Sequence, residues 1–357
     1  MISLTVGHNE TTHEVLVGDV SAALDRIVAL ADGQPLPLVT DSRVLALHGA
    51  MLAPIALQPP ILIAEGETAK DWNGLAAIIT GLAERGIRRG TPIIALGGGS
   101  IGDVTGLAAS LFKRGCPVIH IPTTLLAQAD SAIGGKTAID AAGQKNLVGS
   151  FHMPALVVAD PALLDTLDQR QLRSGYAEVV KYGLIDDPNF FAWCEVHGAA
   201  MVAGDRDARL HAIITCIKAK ARIGSADPFD LTGRRALLNL GHSFAHAIES
   251  AAGIGRLLHG EAVSIGLVLA FRLSVRLGHC PEADALRIAD HLDRTGLPTR
   301  LEQVGLSGSG DALLAPLEAD KKATAAGPAL VLVRGIGHAF VDRAVPRSAL
   351  ESFVRAI

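Results

Sequence analysis

The stretch that decides the fold class is 93-IIALGGGSIGD-103, in which a short apolar run ends in three glycines and a helical pattern begins. Glycines at this point allow the backbone to approach a ligand closely, and the N-terminus of the next helix presents unpaired N–H groups that favour a phosphate. The stretch lacks the full G-x-G-x-x-G spacing with its acidic residue about 20 positions later. It predicts a strand–turn–helix unit that binds a dinucleotide, with a tight turn that binds no ligand as the alternative.

Short apolar runs and helical patterns alternate on both sides of this stretch. The runs are bounded by Gly, Pro or Asp, which is typical of buried strands. They cover residues 36–40, 61–64, 92–96, 118–121 and 156–159, and helical patterns cover 69–85 and 103–113. Strands that alternate with helices predict a mostly parallel sheet with crossover helices.

The pattern changes near residue 170. Amphipathic stretches rich in Ala, Leu and Arg follow at 169–182, 190–198, 206–225, 242–252, 260–277 and 281–294, and the next β-like run is 329–333. We therefore predict an α/β protein with two domains: a Rossmann-like α/β domain over residues 1–170 and a mostly α-helical domain over residues 171–357.

Composition excludes several classes of partner. The 357 residues carry 32 basic and 36 acidic side chains, a formal net charge of -4, which argues against a surface for nucleic acid or an anionic membrane. The four cysteines lie far apart without a CxxC pair, which indicates a reducing compartment. The first residues lack a basic segment followed by an apolar run, so we expect no signal peptide and a cytoplasmic protein.

The segment 130-DSAIGGKT-137 has a superficial likeness to a P-loop, but Asp130 stands where the first glycine of that motif is required. We therefore reject binding of a nucleoside triphosphate. A Gly-Gly turn that presents Lys136 beside Lys145 and Asn146 would suit a phosphate monoester or a carboxylate. The alternative is a solvated loop lysine.

The strongest local signal is 239-NLGHSFAHAIE-249, followed by a third histidine, His259. His242 and His246 are four residues apart, so they project from one face of a helix. Three histidines in an apolar setting indicate a divalent metal bound by imidazole and carboxylate, and spacing alone indicates His242, His246 and His259 as ligands. The alternative is a pair of buried core histidines. Ser243 stands where HExxH requires Glu, which argues against a zincin-type protease.

Two charged clusters have no specific meaning when considered alone. Glu178 and Lys181 are three residues apart on a predicted helix, which is the spacing of an ordinary surface ion pair. Asp320, Lys321 and Lys322 form a similar cluster.

In their order along the chain, seven blocks resemble the 3-dehydroquinate synthase family of sugar-phosphate cyclases. The resemblance extends from about residue 36 to 340, and the blocks together are specific whereas none is so alone. They are GGGSIGDVTGLAASLFKRG (97–115), PTTLLAQADSAIGGKT (122–137), KNLVGSFHMP (145–154), GYAEVVKYGLI (175–185), LNLGHSFAHAIE (238–249), LHGEAVSIG (258–266) and ADKK (319–322).

The resemblance implies an N-terminal NAD-binding α/β domain and a C-terminal helical domain that holds Zn²⁺ or Co²⁺. It implies Glu178, His242 and His259 as the metal ligands. His246 would instead contact the substrate near its phosphate, so the resemblance replaces the ligand set that spacing indicates.

The resemblance also implies two sets of binding residues and a homodimer, in which Arg114 would reach the phosphate site of the neighbouring subunit. The NAD site would be lined by Asp41, Glu67, Lys70, Gly97, Gly98, Gly99, Asp103, Thr123, Thr124, Lys136 and Lys145. The substrate would be surrounded by Asp130, Lys136, Asn146, Lys181, Lys220, Arg235, Asn239, His246 and Lys321.

The chain departs from the family pattern at a few positions. Gln144 replaces a common Gly, Asp140 replaces a common Asn, and the stretch 227–235 is one residue longer than the usual form. The longer stretch leaves open whether Lys220 or Lys218, and Arg235 or Arg234, is the true match. Lys322 is likewise an alternative to Lys321.

The family's activity would be the conversion of 3-deoxy-D-arabino-heptulosonate 7-phosphate to 3-dehydroquinate and phosphate, in the shikimate pathway of aromatic amino acid biosynthesis. It proceeds by transient oxidation by NAD, phosphate elimination, re-reduction and intramolecular aldol closure. The alternatives are a valiolone-type cyclase, a metal-dependent alcohol or glycerol dehydrogenase, and an inactive binding protein. A carboxylate clamp of Arg235 and Lys220 favours the first activity over a cyclase whose substrate lacks a carboxylate.

Overall fold

The computed structural model describes residues 1–7, 12–225, 233–253, 255–308, 310–318 and 329–357. The chain forms two compact units. Unit 1 contains Met1–Asp168 with Arg209–Phe229, and unit 2 contains Gln169–Ala208 with Asp230–Ile357.

Unit 1 is an α/β structure. Its strands are β1 (Ile2–Val6), β2 (His13–Val17), β3 (Leu38–Thr40), β4 (Ile61–Leu62), β5 (Ile93–Gly97), β6 (Val118–Pro122), β7 (Lys136–Ala141), β8 (Gln144–Phe151) and β9 (Leu156–Ala159). Its helices are α1 (Leu24–Ala31), α2 (Ser42–His48), α3 (Trp72–Glu84), α4 (Gly99–Leu111) and most of α7 (Arg206–Ser225).

Among the described residues, the main sheet has the strand order β1-β2-β9-β6-β5-β3-β4. Strands β2, β9, β6, β5, β3 and β4 pair in parallel, and only β1 is antiparallel to its neighbour. The prediction of a mostly parallel sheet is confirmed. If β3, β4, β5, β6 and β9 are counted from one to five, their order is 2-1-3-4-5, which is a doubly wound arrangement with its switch point between β3 and β5.

Alternate residues of β5 enter two different hydrophobic clusters, because successive side chains of a strand point to opposite faces. Ile93 and Ala95 pack with residues of α3 and α4, whereas Ile94 and Leu96 pack with α1. The strand is therefore covered on both faces, which explains why its sequence is a continuous apolar run instead of an alternating one.

Several strands of unit 1 are not apparent from the sequence pattern. Strands β1 and β2 form an antiparallel pair at one edge of the sheet, and β7 and β8 form a separate antiparallel hairpin. The hairpin follows the Gly-Gly turn. Lys136, for which the alternative was a solvated loop position, is the first residue of β7. Strand β8 carries many partly exposed side chains, and this weak hydrophobic pattern conceals it.

Unit 2 is mostly helical, as predicted. Its elements are α5 (Gln169–Asp186), α6 (Pro188–Ala203), α8 (His242–Ala252), α9 (His259–Arg276), α10 (Glu282–Arg294), α11 (Gly310–Glu318), α12 (Arg347–Val354) and the antiparallel pair β10 (Leu330–Val333) and β11 (Ala339–Asp342). Helix α9 lies at the centre, since most of its side chains are buried and it packs against α5, α8 and α10. In the described part of the chain, no helix is long and apolar enough to cross a membrane.

Candidate active site

The glycine turn of unit 1 joins β5 to α4. Gly97 is the last residue of β5, and Gly98 precedes α4 as its N-cap. A Cβ atom at Gly97 would lie 2.6 Å from Ile101 Cγ1, so a side chain there would force the start of α4 away from the strand. Gly98 has no side chain that could accept from the first N–H groups of α4, so these donors are available to an anion.

Neighbouring strands end beside this turn. Strand β3 ends at Thr40, and Asp41 follows it as the N-cap of α2, accepting a hydrogen bond from the Val44 N–H at 2.7 Å. Strand β6 leads into Thr123, whose N–H donates to the Gly97 carbonyl oxygen at 2.9 Å. Ligands of doubly wound sheets bind at the carboxyl ends of strands beside the switch point. The predicted NAD residues Asp41, Thr123 and the glycines therefore share the edge where a ligand is expected.

A partly buried charge cluster lies at the first turns of α4. Lys70 Nζ is 2.8 Å from Asp103 Oδ2, and Lys145 Nζ is 3.1 Å from Glu67 Oε1. Burial lowers the pKa of Lys70, but the attraction of Asp103 and Glu67 is larger and raises it overall. For Asp103, burial has the opposite effect: it raises the pKa of the carboxyl group, and the attraction of the neighbouring Lys70 only partly offsets this rise. The structure thus brings four predicted NAD residues into one cluster.

A pocket adjoins the glycine turn, and Asp103, Lys136 and His120 are among its lining residues. Burial, with smaller repulsion from His13 and His152, lowers the pKa of His120 to about 4. The ring is therefore neutral at pH 7 and offers one donor and one acceptor. Sequence reasoning missed His120, although a histidine within the apolar strand 118-VIHIP-122 is a usable signal.

Lys136 and Asn146 lie on the β7–β8 hairpin. Lys136 is exposed, and the Asn146 N–H donates to Asp140 Oδ1 at 2.8 Å. Asn146 adopts a left-handed backbone conformation with φ of 53°. The Asp140 N–H in turn donates to the Lys70 carbonyl oxygen at 2.7 Å. Asp140, a departure from the family pattern, therefore ties the hairpin to the charge cluster.

Lys220 and Asp130 are brought together, whereas Lys218 and Arg114 are exposed. Lys220 lies buried on α7, and its Nζ donates to the Asp130 carbonyl oxygen at 2.8 Å and contacts the Asp130 carboxylate. Arg114 is the last residue of a short 3-10 turn (Phe112–Arg114) and has φ of 64°. Of the two lysines between which the sequence leaves a choice, Lys220 is the one that contacts a predicted substrate residue.

Three side chains of unit 2 converge as a candidate metal centre. Glu178 on α5, His242 on α8 and His259 on α9 have ligand atoms that all lie within 4.8 Å of one another. Glu178 Oε1 is 3.3 Å from His242 Nε2 and 3.3 Å from His259 Nε2. Metal–ligand bonds of ~2.0–2.1 Å at a tetrahedral angle separate ligand atoms by about 3.3 Å. The observed spacing therefore fits a divalent cation held by these three atoms.

The atoms of these side chains that do not face the proposed cation are held by hydrogen bonds or an ion pair. His242 Nδ1 lies 3.2 Å from the Leu240 carbonyl oxygen, and His259 Nδ1 lies 3.2 Å from Glu249 Oε1. Since a carbonyl or carboxylate oxygen can only accept, each Nδ1 carries the proton and each Nε2 is left to coordinate. Lys181 Nζ binds Glu178 Oε2 at 2.6 Å, which leaves Oε1 directed at the histidines.

The site has a negative potential that favours a cation. Burial lowers the pKa of His259, but hydrogen bonds to Glu178 and Glu249 outweigh it and raise the pKa to about 9. Burial raises the pKa of Glu178, but Lys181 and His242 hold it well below its ordinary value. The carboxylates that favour a proton on His259 would equally favour a divalent cation.

Close glycine contacts set the three helices at the distances this centre needs. A Cβ atom at Gly260 would lie 1.8 Å from the Ser174 carbonyl oxygen, and one at Gly266 would lie 2.2 Å from the Gly241 carbonyl oxygen. Gly241 has φ of 80° and precedes His242, the first residue of α8. The backbone of α9 therefore approaches both α5 and the start of α8 more closely than any side chain would allow.

The remaining predicted residues of unit 2 are His246, Arg235, Asn239 and Lys321. The ring of His246 is 5.7 Å from that of His242, between centroids, and it is exposed and not among the three converging ligands. Arg235 is buried and Arg234 is exposed, and Asn239 ends the same 3-10 turn. Lys321 and Lys322 lie outside the described residues. Glu178 and Lys181 form a buried pair, so the interpretation as a surface ion pair is wrong.

Sequence reasoning assigned no role to Glu249. The residue is 4% exposed, and its carboxylate contacts a predicted metal ligand, His259. The sequence could have indicated Glu249, because it lies seven residues after His242 and this spacing places both side chains on one face of α8.

Comparison with known proteins gives consistent matches over the whole chain. The family model for the N-terminal part of 3-dehydroquinate synthase matches residues 60–174, and that for the C-terminal part matches residues 175–323. The chain is 46% identical to 3-dehydroquinate synthase from Rhodospirillum rubrum, over 99% of this chain and 94% of that protein. It is 50% identical to 3-dehydroquinate synthase from Zymomonas mobilis, over 82% of this chain and 78% of that protein.

A solved structure gives a similar result. The chain superposes on 2-epi-5-epi-valiolone synthase from Streptomyces hygroscopicus, with NAD+ and Zn2+ bound, at a TM-score of 0.88 and 31% identity. The match covers 98% of both chains.

Proposed function

Because this chain belongs to the 3-dehydroquinate synthase family, we propose that it converts 3-deoxy-D-arabino-heptulosonate 7-phosphate to 3-dehydroquinate and inorganic phosphate. The observation that carries this proposal is the convergence of Glu178 Oε1 with the Nε2 atoms of His242 and His259. The donor set of one carboxylate and two imidazoles, with further coordination positions for substrate oxygens, is typical of a catalytic Zn²⁺ or Co²⁺ site.

The two units would hold the two cofactors. In unit 1, the glycine turn would bind the diphosphate of NAD at the N-terminus of α4, and Asp41, Glu67, Lys70, Asp103, Thr123, Thr124 and Lys145 would line the remainder of the site. Bound NAD would accept a hydride from the substrate and return it, so that no external reductant is consumed. In unit 2, a cation held by Glu178, His242 and His259 would polarise the hydroxyl that is oxidised.

The basic residues would bind the two anionic groups of the substrate. Lys136, Asn146 and His246 would bind its phosphate, and a lysine–phosphate contact favours the separated charge of the departing group. Arg235 and Lys220 would bind its carboxylate, since a guanidinium presents a planar fork to two oxygens. These contacts would fix which face of the sugar ring reacts. Lys321 is a further substrate residue in this proposal.

The neutral and acidic residues would orient the hydroxyl groups. Asp130, which accepts from Lys220, would accept from a substrate hydroxyl, and the Asn239 amide can both donate and accept. Lys181, which binds Glu178, would also donate to a substrate oxygen. We further propose a homodimer in which Arg114, an exposed residue, contributes to the phosphate site of the neighbouring subunit.

The experiment that tests this function measures inorganic phosphate release from the heptulosonate phosphate in the presence of catalytic NAD and Zn²⁺. We expect phosphate release over many turnovers of the NAD supplied, without accumulation of NADH. Faster release from sedoheptulose 7-phosphate would instead indicate the valiolone-type activity. NADH that accumulates with each turnover would indicate a dehydrogenase.

A further inference from the structure

Glu249 is a buried carboxylate in unit 2 to which the proposed function assigns no role. It lies on α8 two turns after His242, and its Oε1 is 3.2 Å from His259 Nδ1. Helix α8 therefore carries one of the three proposed metal ligands and also a residue that contacts another ligand, on α9.

The two histidines differ in what holds their Nδ1 atoms. His242 donates to a neutral main-chain carbonyl, that of Leu240, whereas His259 donates to the carboxylate of Glu249. A charged acceptor makes a stronger hydrogen bond than a neutral one and makes the opposite ring nitrogen a better electron donor. The hydrogen bond also fixes the rotation of the ring, so that Nε2 stays directed at Glu178 Oε1.

The position of His259 gives this contact more importance than the equivalent contact of His242. His259 is the first residue of α9, and its side chain is 28% exposed, whereas that of His242 is 12% exposed. A ring that is less enclosed by packing depends more on a hydrogen bond for its orientation. Glu249, whose side chain is 5% exposed, supplies that bond from a rigid helix.

We propose that Glu249 is a positioning residue that fixes the tautomer and ring orientation of His259 and thereby strengthens divalent-metal binding by Glu178, His242 and His259. The inference rests on the proposed metal site. Glu249 acts through His259 and contacts neither the cation nor the substrate.

The experiment measures Zn²⁺ and Co²⁺ dissociation constants of the full chain by competition with a chelator. Glu249→Gln keeps the shape but removes the charge, Glu249→Ala removes the acceptor, and Glu249→Asp keeps the charge on a shorter arm. Glu195→Gln is the control, because Glu195 is another ion-paired glutamate of unit 2 whose partner is Arg287. Visible absorption of the Co²⁺ form reports the ligand geometry, and thermal unfolding of the metal-free protein reports any purely structural effect.

We expect metal affinity to fall roughly tenfold in Glu249→Gln and up to roughly 100-fold in Glu249→Ala, as is found for residues that orient metal ligands. Glu249→Asp should recover part of the loss, and the Co²⁺ spectrum should shift in Glu249→Gln and Glu249→Ala. Glu195→Gln should retain wild-type affinity and spectrum.

Wild-type affinity and spectrum in Glu249→Gln would overturn the inference, and this isosteric variant decides the matter if Glu249→Ala does not fold. A fall in the unfolding temperature of the metal-free variants with an unchanged Co²⁺ spectrum would also overturn it, since the role would then be structural. A wild-type chain that binds neither metal would overturn the proposed metal site itself, which is a different result from an unaffected Glu249 variant.

Discussion

The glycine turn of unit 1 and the candidate metal centre of unit 2 are built in opposite ways. The turn offers mainly backbone, at the ends of adjacent parallel strands, and its residues 97–103 are contiguous in the sequence. The metal centre consists of three side chains from three helices, separated by up to 81 positions (178 to 259). A backbone site is therefore determined by local sequence and topology, whereas a side-chain site depends on how separate helices pack.

The two regions also tolerate change differently. In the turn, the main requirement is the absence of side chains at Gly97 and Gly98. In the candidate metal centre, each proposed ligand needs a partner that fixes the atom directed away from the cation, as Lys181 does for Glu178 and Glu249 does for His259. Substitutions should consequently affect the two sites independently.

The largest effect should come from His242→Ala, which removes one of three converging ligands. We expect loss of bound metal and of phosphate release, with NAD binding by unit 1 preserved. Metal content by atomic emission, NAD titration and phosphate release measure these separately. Normal phosphate release by a metal-free His242→Ala protein would contradict the assignment.

A large effect confined to unit 1 should come from Gly97→Val. The new side chain overlaps Ile101, and such overpacking costs about 1–3 kcal/mol of stability. We expect NAD affinity to fall roughly tenfold or more, a loss of about 1.4 kcal/mol of binding free energy, because the displaced start of α4 no longer presents its N–H groups to the diphosphate, while the Zn²⁺ dissociation constant stays unchanged. Gly90→Val is the control, since a Cβ atom there meets nothing within 4 Å. Equal losses in the two variants would refute the close contact at Gly97.

An intermediate effect should appear in the pH dependence of unit 1. The pKa of His120 is lowered to about 4 from 6.5 by burial, so between these values the unfolded chain binds more protons than the folded one. Stability due to the neutral ring is present above pH 6.5 and is lost as the pH falls towards 4. From pH 7 to pH 5 the loss should be about 2 kcal/mol.

His120→Gln removes this titration while other groups remain. Urea unfolding of both proteins at pH 7 and pH 5 gives the difference in pH dependence that is due to His120. If the stability of the wild type and that of the variant changed by the same amount between these pH values, the His120 ring would not be buried in its neutral form.

The smallest effect should separate helix capping from cofactor binding. Asp41 caps α2 through the Val44 N–H, and Asp71 caps α3 through the Gly74 N–H. Replacing either by Ala should lower the free energy of unfolding by about 1 kcal/mol. Only Asp41→Ala should also weaken NAD binding, as measured by calorimetric titration. Unchanged NAD affinity would leave Asp41 as a helix cap alone.

Much of the fold, and part of the candidate site, could be predicted from the sequence. The parallel strands and the amphipathic helices follow from local periodicity, and α7 and α8 begin and end at the predicted residues. The β7–β8 hairpin could not be predicted, because its strands carry no clear alternation of apolar and polar residues. The spacing also indicated His246 as a metal ligand, because it places His242 and His246 on one helical face. It contains no information about α5, which carries Glu178.

Two contacts depend on tertiary packing and so escape any local pattern. Glu178 reaches the histidines only because Gly260 allows α9 to approach the backbone of α5 at Ser174. Glu249 meets His259 only because α8 and α9 pack side by side. The resemblance to a family supplied Glu178, and the structure was needed to find Glu249.

We propose that Glu178, His242 and His259 hold one catalytic cation. Anomalous X-ray diffraction, measured on both sides of the zinc absorption edge from crystals of the Zn²⁺-loaded protein, locates that cation. We predict one strong peak at ~2.0–2.2 Å from Glu178 Oε1 and from the Nε2 atoms of His242 and His259. A peak coordinated by His246 in place of Glu178, or no peak at these residues, would contradict the claim.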